Sequence, residues 1–227
     1  MPKFFLLELI NPEVQEYAEK FTSPEDELLH EINDWTRKNS SGYTMLSGHL
    51  QGKLLEMISC MIRPKRILEI GTFMGYSALC MAKGLTGDGQ LHTLEMNEKD
   101  AQSARTFFNR SSLGDKIILH TGNALKLIPD LKENWDLVFI DADKPAYIEY
   151  FNLVLPQVRK NGFILADNIF FHGEVFEDNT NDLSKNTQSQ RKNGKAIRAF
   201  NEFIKDRTDI DKVILTVRDG LYLIRKL

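Results

Sequence analysis

The stretch RILEIGTFMGYSAL, Arg66 to Leu79, runs from a β-type apolar segment through Gly71 and Gly75 into residues at helical spacing. A strand that turns through glycine into a helix is half of a βαβ unit. The alternation recurs downstream. Candidate strands at Arg66–Ile70, Gln90–Met96, Lys116–Thr121, Trp135–Asp141 and Gly162–Asp167 are separated by helical patterns at Tyr76–Lys83, Asp100–Asn109, Ala124–Leu131 and Pro145–Val158. Near the end, Lys212–Val217 and Leu221–Arg225 flank Arg218-Asp219-Gly220, and Asp-Gly between apolar runs is a hairpin signal. The expected class is α/β: a mostly parallel sheet closed by an antiparallel pair.

Upstream of the first strand, Leu50, Leu54, Ile58, Met61 and Ile62 fall on one helical face, and Arg63-Pro64 ends that helix. No repeat or domain boundary interrupts the 227 residues, so one domain is expected, with residues 1–63 as a helical cap region and 66–227 as the core. The polar stretch from Gly173 to Gly194, GEVFEDNTNDLSKNTQSQRKNG, reads either as a surface loop or as a lid beside the ligand crevice.

The totals exclude several classes. A net charge of -3 provides no basic field for nucleic acid or an anionic membrane surface. No apolar run is long enough to cross a bilayer. The opening MPKFFLLELI is brief, is interrupted by Glu8 and lacks a cleavage site, so it reads as a segment packed on the domain or on a partner subunit. Cys60 and Cys80 lie in apolar helical patterns and read as small core residues in a reducing, cytoplasmic compartment.

Glycine at a strand-to-helix turn lets a cofactor approach the backbone, although many such turns use glycine only to fit. Phe73 stands where a dinucleotide fingerprint has its second glycine, which disfavours a pyrophosphate. Glu95 closes the second strand, where an acidic residue commonly accepts hydrogen bonds from ribose hydroxyls. Together these features imply a ligand with a ribose and no diphosphate. At the third strand end Asn123 and Ala124, in TGNAL, are placed to line an adenine.

Glu69-Ile70-Gly71-Thr72 with Gly75 and Ser77, Glu95, Gly122-Asn123-Ala124, Asp141-Ala142-Asp143-Lys144 and Ala166-Asp167-Asn168 together resemble the divalent-cation-dependent, S-adenosylmethionine-dependent O-methyltransferases of the caffeoyl-CoA and catechol type. The likeness extends from about Thr44 to the terminal hairpin. It implies a Rossmann-like sheet in the order 3-2-1-4-5-7-6, and a homodimer to which the apolar N-terminal segment contributes. It also implies that Ser47, Glu69, Gly71, Thr72, Ser77, Glu95, Ala124 and Asp143 contact S-adenosylmethionine, with Met45 near the methyl sulfonium.

In a doubly wound sheet all parallel strands end at one edge, and ligands occupy the crevice where strand order reverses. Asp141 is then expected to face Gly71, with Asp167 and Asn168 beside it. Asp167-Asn168 alone is equally an Asx turn or a helix cap. Two carboxylates converging at one edge repel unless a cation lies between them, and oxygen ligands without histidine or cysteine suit a hard ion such as Mg²⁺. Lys144 is the candidate to take an acceptor proton, which requires a lowered pKa; otherwise it stabilises the oxyanion electrostatically. Tyr147 and His172 are near enough in sequence to border the acceptor pocket, although an aromatic in a helix is more often core and a lone histidine more often a bystander. His172 departs from the plant enzymes, which have an amide side chain there.

The expected reaction is methyl transfer to one hydroxyl of an ortho-dihydroxy aromatic. Alternatives are a methyltransferase acting on an RNA ribose or a protein side chain, a nucleotide-binding scaffold without chemistry, and a metal-dependent hydrolase.

Overall fold

The computed structural model describes residues 11–176 and 188–227. Strands β1 (Arg66–Ile70), β2 (Gln90–Glu95), β3 (Ile117–Thr121), β4 (Trp135–Ile140), β5 (Val158–Asp167), β6 (Ile210–Leu215) and β7 (Leu221–Lys226) form one seven-stranded sheet in the order β3-β2-β1-β4-β5-β7-β6. The first five run parallel, and β7 pairs antiparallel with both β5 and β6. This is the expected α/β architecture.

Successive residues of a strand point to opposite faces, so each central strand feeds two cores. Ile67, Leu137, Phe139 and Leu165 pack with α2 (Glu27–Asn39), α3 (Gly48–Ile62), α4 (Tyr76–Ala82) and α5 (Glu98–Phe108). Leu68, Ile70, Val138, Ile140 and Ile164 pack with α6 (Ala124–Leu127), α7 (Tyr147–Val154) and α8 (Gln188–Lys205). A first helix, Pro12–Phe21, precedes these and buries no residue. Helix starts follow side-chain capping: Asp26 accepts from the Leu29 N–H, Asn97 from Lys99 and Asn123 from Leu125.

Helix α3 departs from the sequence reading. Its buried residues are Gln51, Gly52, Leu55, Ile58 and Ser59, while Met61 is 72% exposed and Cys60 is also exposed; only Cys80 is a core cysteine. Small residues decide which face turns inward. A Cβ on Gly52 would lie 2.5 Å from the Tyr76 ring, and one on Gly84 would lie 2.3 Å from Ser59. Close approach of α3 to α4 therefore selects the face that carries Gly52 and Ser59, and the bulkier Leu54 and Met61 are displaced from it.

Other boundaries shift for local reasons. Pro129 and Pro156 convert the ends of two expected helices into 3-10 turns, and β5 begins at Val158, before the expected Gly162. β6 pairs through Leu215↔Leu221, so the hairpin connection spans residues 216–220. Of the stretch from Gly173 to Gly194, residues 188–194 belong to α8, and 177–187 lie outside the described residues, as does the opening segment 1–10. Among the described residues no helix is long and apolar enough to cross a membrane.

The sheet's central junction is tight. Gly71 N–H donates to Leu94 O at 3.0 Å, and Asp141 N–H donates to Ile70 O at 2.9 Å. Gly71 has φ +102°, and a Cβ there would sit 2.1 Å from the Asp141 carbonyl oxygen. Gly71→Ala combines left-handed strain with a backbone clash, each a cost on the order of 1–3 kcal/mol. Urea unfolding is expected to show a loss of at least about 2 kcal/mol.

Candidate active site

The crevice lies at the carboxyl ends of β1 and β4, the paired strands between which the sheet order reverses, and beneath it is a carboxylate that no water reaches. Glu69 shares the strand face of Ile67 and is wholly buried. It accepts from Ser77 Oγ at 2.6 Å and from Thr93 Oγ1. Burial raises its pKa to about 8; the two hydroxyl bonds oppose that shift, and the charges of Asp141 and Glu95 add to it. Glu69 is thus a carboxyl held in place and poised for a partner that favours its ionised form.

Glu95 stands at the end of β2 and ties the glycine loop down. Its Oε2 accepts from Phe73 N–H at 2.8 Å and its Oε1 from Asn97 N–H at 2.8 Å. Phe73 needs φ +47° to present that N–H. A carboxylate has about four acceptor positions, so these two bonds leave capacity for ribose hydroxyls. Gly75 is explained by packing: with φ +81°, a Cβ there would lie 2.4 Å from the Phe108 ring. Its assignment as a cofactor contact is therefore not needed to account for the glycine. Thr72 is buried, with its hydroxyl in hydrogen-bond reach of Thr93. Asn123 spends its side-chain oxygen on capping α6, which leaves buried Ala124 beside it. Asp143 is exposed and accepts from the Tyr150 hydroxyl. Ser47 is buried at the start of α3, whereas Met45 is 59% exposed on the preceding 3-10 turn.

The acidic cluster forms as the strand ends dictate. Lys144 Nζ donates to Asp141 Oδ1 at 3.0 Å and to the Tyr147 hydroxyl at 2.8 Å. The Tyr147 hydroxyl in turn donates to Asp167 O at 3.0 Å. Burial pushes the Asp167 carboxyl up to about 7, and the charge of Asp141 pushes the same way. Burial by itself would lower the Lys144 pKa, yet Tyr147, Asp141 and Asp167 outweigh it and the net shift is upward. Without a cation these neighbours favour the charged ammonium, the state that the electrostatic role uses. Tyr147 is wholly buried and its hydroxyl accepts from Lys144, which fits the reading of it as a core aromatic.

Among the described residues no three His, Cys, Asp or Glu side chains gather as a metal group. The candidate ligands are two carboxylates and one amide, Asp141, Asp167 and Asn168. Their oxygen chemistry, and the mutual repulsion recorded at Asp167, fit a hard divalent cation. Asn168 has φ +56°, and its N–H donates to Asp167 Oδ1 at 2.8 Å, one residue on where an Asx turn spans two.

Asp219 and Arg218 of the 216–220 connection and Gln51 of α3 join the site, a role that the sequence reading did not assign to them. His172 N–H donates to Asp219 Oδ1 at 2.7 Å, and the His172 ring lies 3.7 Å from Asp219 Oδ2. Arg218 reaches the Leu46 and Ser47 carbonyls. Gln51 Nε2 donates to Asp167 Oδ2 at 2.8 Å. Gln51 alone was detectable: a polar residue on the helical face of Leu55 and Ile58 asks for a buried partner.

This sheet order, with a glycine turn after β1 and an acid closing β2, defines the Rossmann-like methyltransferase class. The sequence profile of the O-methyltransferase family matches residues 19–227, and the chain belongs to that family, a class of S-adenosylmethionine-dependent enzymes. A catechol O-methyltransferase of Niastella koreensis is 36% identical over 73% of this chain and 72% of its own length. A probable caffeoyl-CoA O-methyltransferase of Dictyostelium discoideum is 30% identical over 96% of this chain and 93% of its own. The S-adenosylhomocysteine-bound methyltransferase PaMTH1 of Podospora anserina superposes with a TM-score of 0.87 at 32% identity, covering 96% of this chain and 97% of that one.

The raised Asp167 pKa has a thermodynamic sign. A carboxyl that holds its proton more tightly when folded than at the ordinary 3.8 costs stability as pH rises from about 4 through 7. Without added cation, the melting temperature is expected to fall between pH 5 and pH 8 by less in Asp167→Asn than in the unsubstituted protein, as measured by calorimetry.

Proposed function

We propose that this enzyme methylates one hydroxyl of an ortho-dihydroxy aromatic, with a divalent cation such as Mg²⁺ at Asp141, Asp167 and Asn168. The observation that carries the reading is the run of hydrogen bonds at the strand ends beside the glycine turn, from Asp141 through buried Lys144 and Tyr147 to the Asp167 carbonyl. Relatives named for catechol and caffeoyl-CoA support the acceptor class. S-adenosylmethionine supplies the activated methyl group. The cation supplies Lewis-acid stabilisation of a phenolate, which at an ordinary pKa of about 10 is scarce at neutral pH.

The chain's own residues bind and orient. Glu69, Thr72 and Ser77 form the buried wall against which the donor's amino acid end is placed, with Ser47 closing it from α3. Glu95 accepts the ribose hydroxyls, and Ala124 and Asp143 flank the adenine. Met45, exposed on its turn, lies next in sequence to the segment that covers the sulfonium. Lys144 keeps its proton and holds an ammonium where negative charge develops on the acceptor oxygen. His172 stands 42% exposed at the acceptor side, tethered through Asp219.

Catechol or caffeic acid incubated with the protein, S-adenosylmethionine and Mg²⁺ is expected to give the monomethyl ether by mass spectrometry. EDTA should abolish the product, and Lys144→Ala should lower kcat by about 10² or more. Donor binding without methylation of any diol would sink the acceptor assignment; turnover that persists in EDTA would sink the cation.

A further inference from the structure

Both oxygens of Asp167 are spoken for before any ligand arrives. Oδ1 accepts from the Asn168 N–H at 2.8 Å, a bond within its own turn. Oδ2 accepts from Gln51 Nε2 at 2.8 Å, a bond that crosses from α3. Gln51 is 1% exposed, so this contact is made out of water and fixes the carboxylate's rotation about its last bond.

An amide can present either its oxygen or its nitrogen, and something must decide which faces Asp167. Arg218 does so. Its guanidinium only donates, and Nη1 lies 3.4 Å from Gln51 Oε1 while also donating to Leu46 O at 2.9 Å and to Ser47 O. With the amide oxygen turned to Arg218, the NH₂ must turn to Asp167. A flipped amide would set oxygen against carboxylate and NH₂ against guanidinium. The hairpin connection that supplies Arg218 also accepts from the Ile169 and Phe170 N–H groups through Gly220 O at 3.2 Å and Asp219 O at 3.0 Å. One short turn thus grips the start of α3 and the segment after β5 together.

We infer that Gln51 is a positioning residue for Asp167: it aims the carboxylate at the cation, and Arg218 sets the sense in which Gln51 points. The inference rests on the reading of Asp167 as a cation ligand. Outer hydrogen-bond partners of metal ligands typically change metal affinity 10- to 100-fold. Cation affinity here is then tied to the donor-side segment at Leu46–Gln51, far from the ligands in sequence.

The test is titration with Mn²⁺ alone, followed by electron paramagnetic resonance, on the full chain and on Gln51→Met, Arg218→Met and Asp167→Ala. Gln51→Met keeps length and removes the donor, and its Mn²⁺ Kd is expected to rise about tenfold or more. Arg218→Met should shift the Kd in the same direction. S-adenosylhomocysteine affinity of Gln51→Met, by calorimetry, should stay within threefold, which a general loss of packing would not allow. If the full chain binds Mn²⁺, Asp167→Ala loses it, and Gln51→Met changes the Kd by less than fivefold, the inference is overturned while the cation site stands. If the full chain does not bind Mn²⁺, or Asp167→Ala binds as well as the full chain, the cation site itself is wrong and the inference falls with it. Should Gln51→Met not fold, Gln51→Asn, one methylene short of Asp167, carries the same threshold.

Discussion

The fold turns on one contact: the backbone of Gly71 lies against the carbonyl of Asp141, with no room for a side chain between them. β1 and β4 are the strands at which the order of the sheet reverses, and their ends can come this close only because position 71 lacks a Cβ. The contact sets the glycine turn and the start of the acidic cluster at a common height. Every other part of the site is registered to that height, from Glu95 at the end of β2 to Asp167 at the end of β5.

Charge then shapes what the crevice can hold. Lys144 pairs with Asp141 and feels the charge of Asp167, while Glu69 lies wholly buried near the end of β1. Burial pushes Glu69 and Asp167 toward their protonated forms, while Tyr147, Asp141 and Asp167 keep Lys144 charged. Such a cluster favours additional positive charge. A sulfonium on the Glu69 side and a divalent ion on the Asp167 side would each relieve repulsion that the protein alone leaves standing. The arrangement therefore suits a cationic methyl donor, and the proposed divalent cation rests on the same charge balance.

Much of this was legible along the chain because the governing physics is local. Arg66–Ile70 is a strand whose period of two buries Glu69 with Ile67, and the Asp-Gly pair at 219–220 does close a hairpin. Glu95, Asp141 and Asp167 sit at strand ends, where turn chemistry and apolar runs mark them. The reading of α3 failed because apolar size was weighted over close approach. Gly52 and Ser59 bring α3 against α4, and their small side chains carry no hydrophobic signal. Tyr147 reads from sequence either as core or as pocket lining, because a helical period tells which residues share a face, not which of them meets the ligand.

The sequence by itself determined the strand-and-helix alternation, the doubly wound class and the set of oxygen-bearing residues at one sheet edge, since hydrophobic period and glycine placement act over a few residues. Only the tertiary structure decided how those residues are held. That Gln51 faces Asp167, that Arg218 reaches back to Ser47, and that Lys144 is enclosed by Asp141 and Tyr147 all depend on segments brought together by the sheet. Burial and charge proximity are properties of that assembly, and they, more than residue type, fix which proton each group keeps.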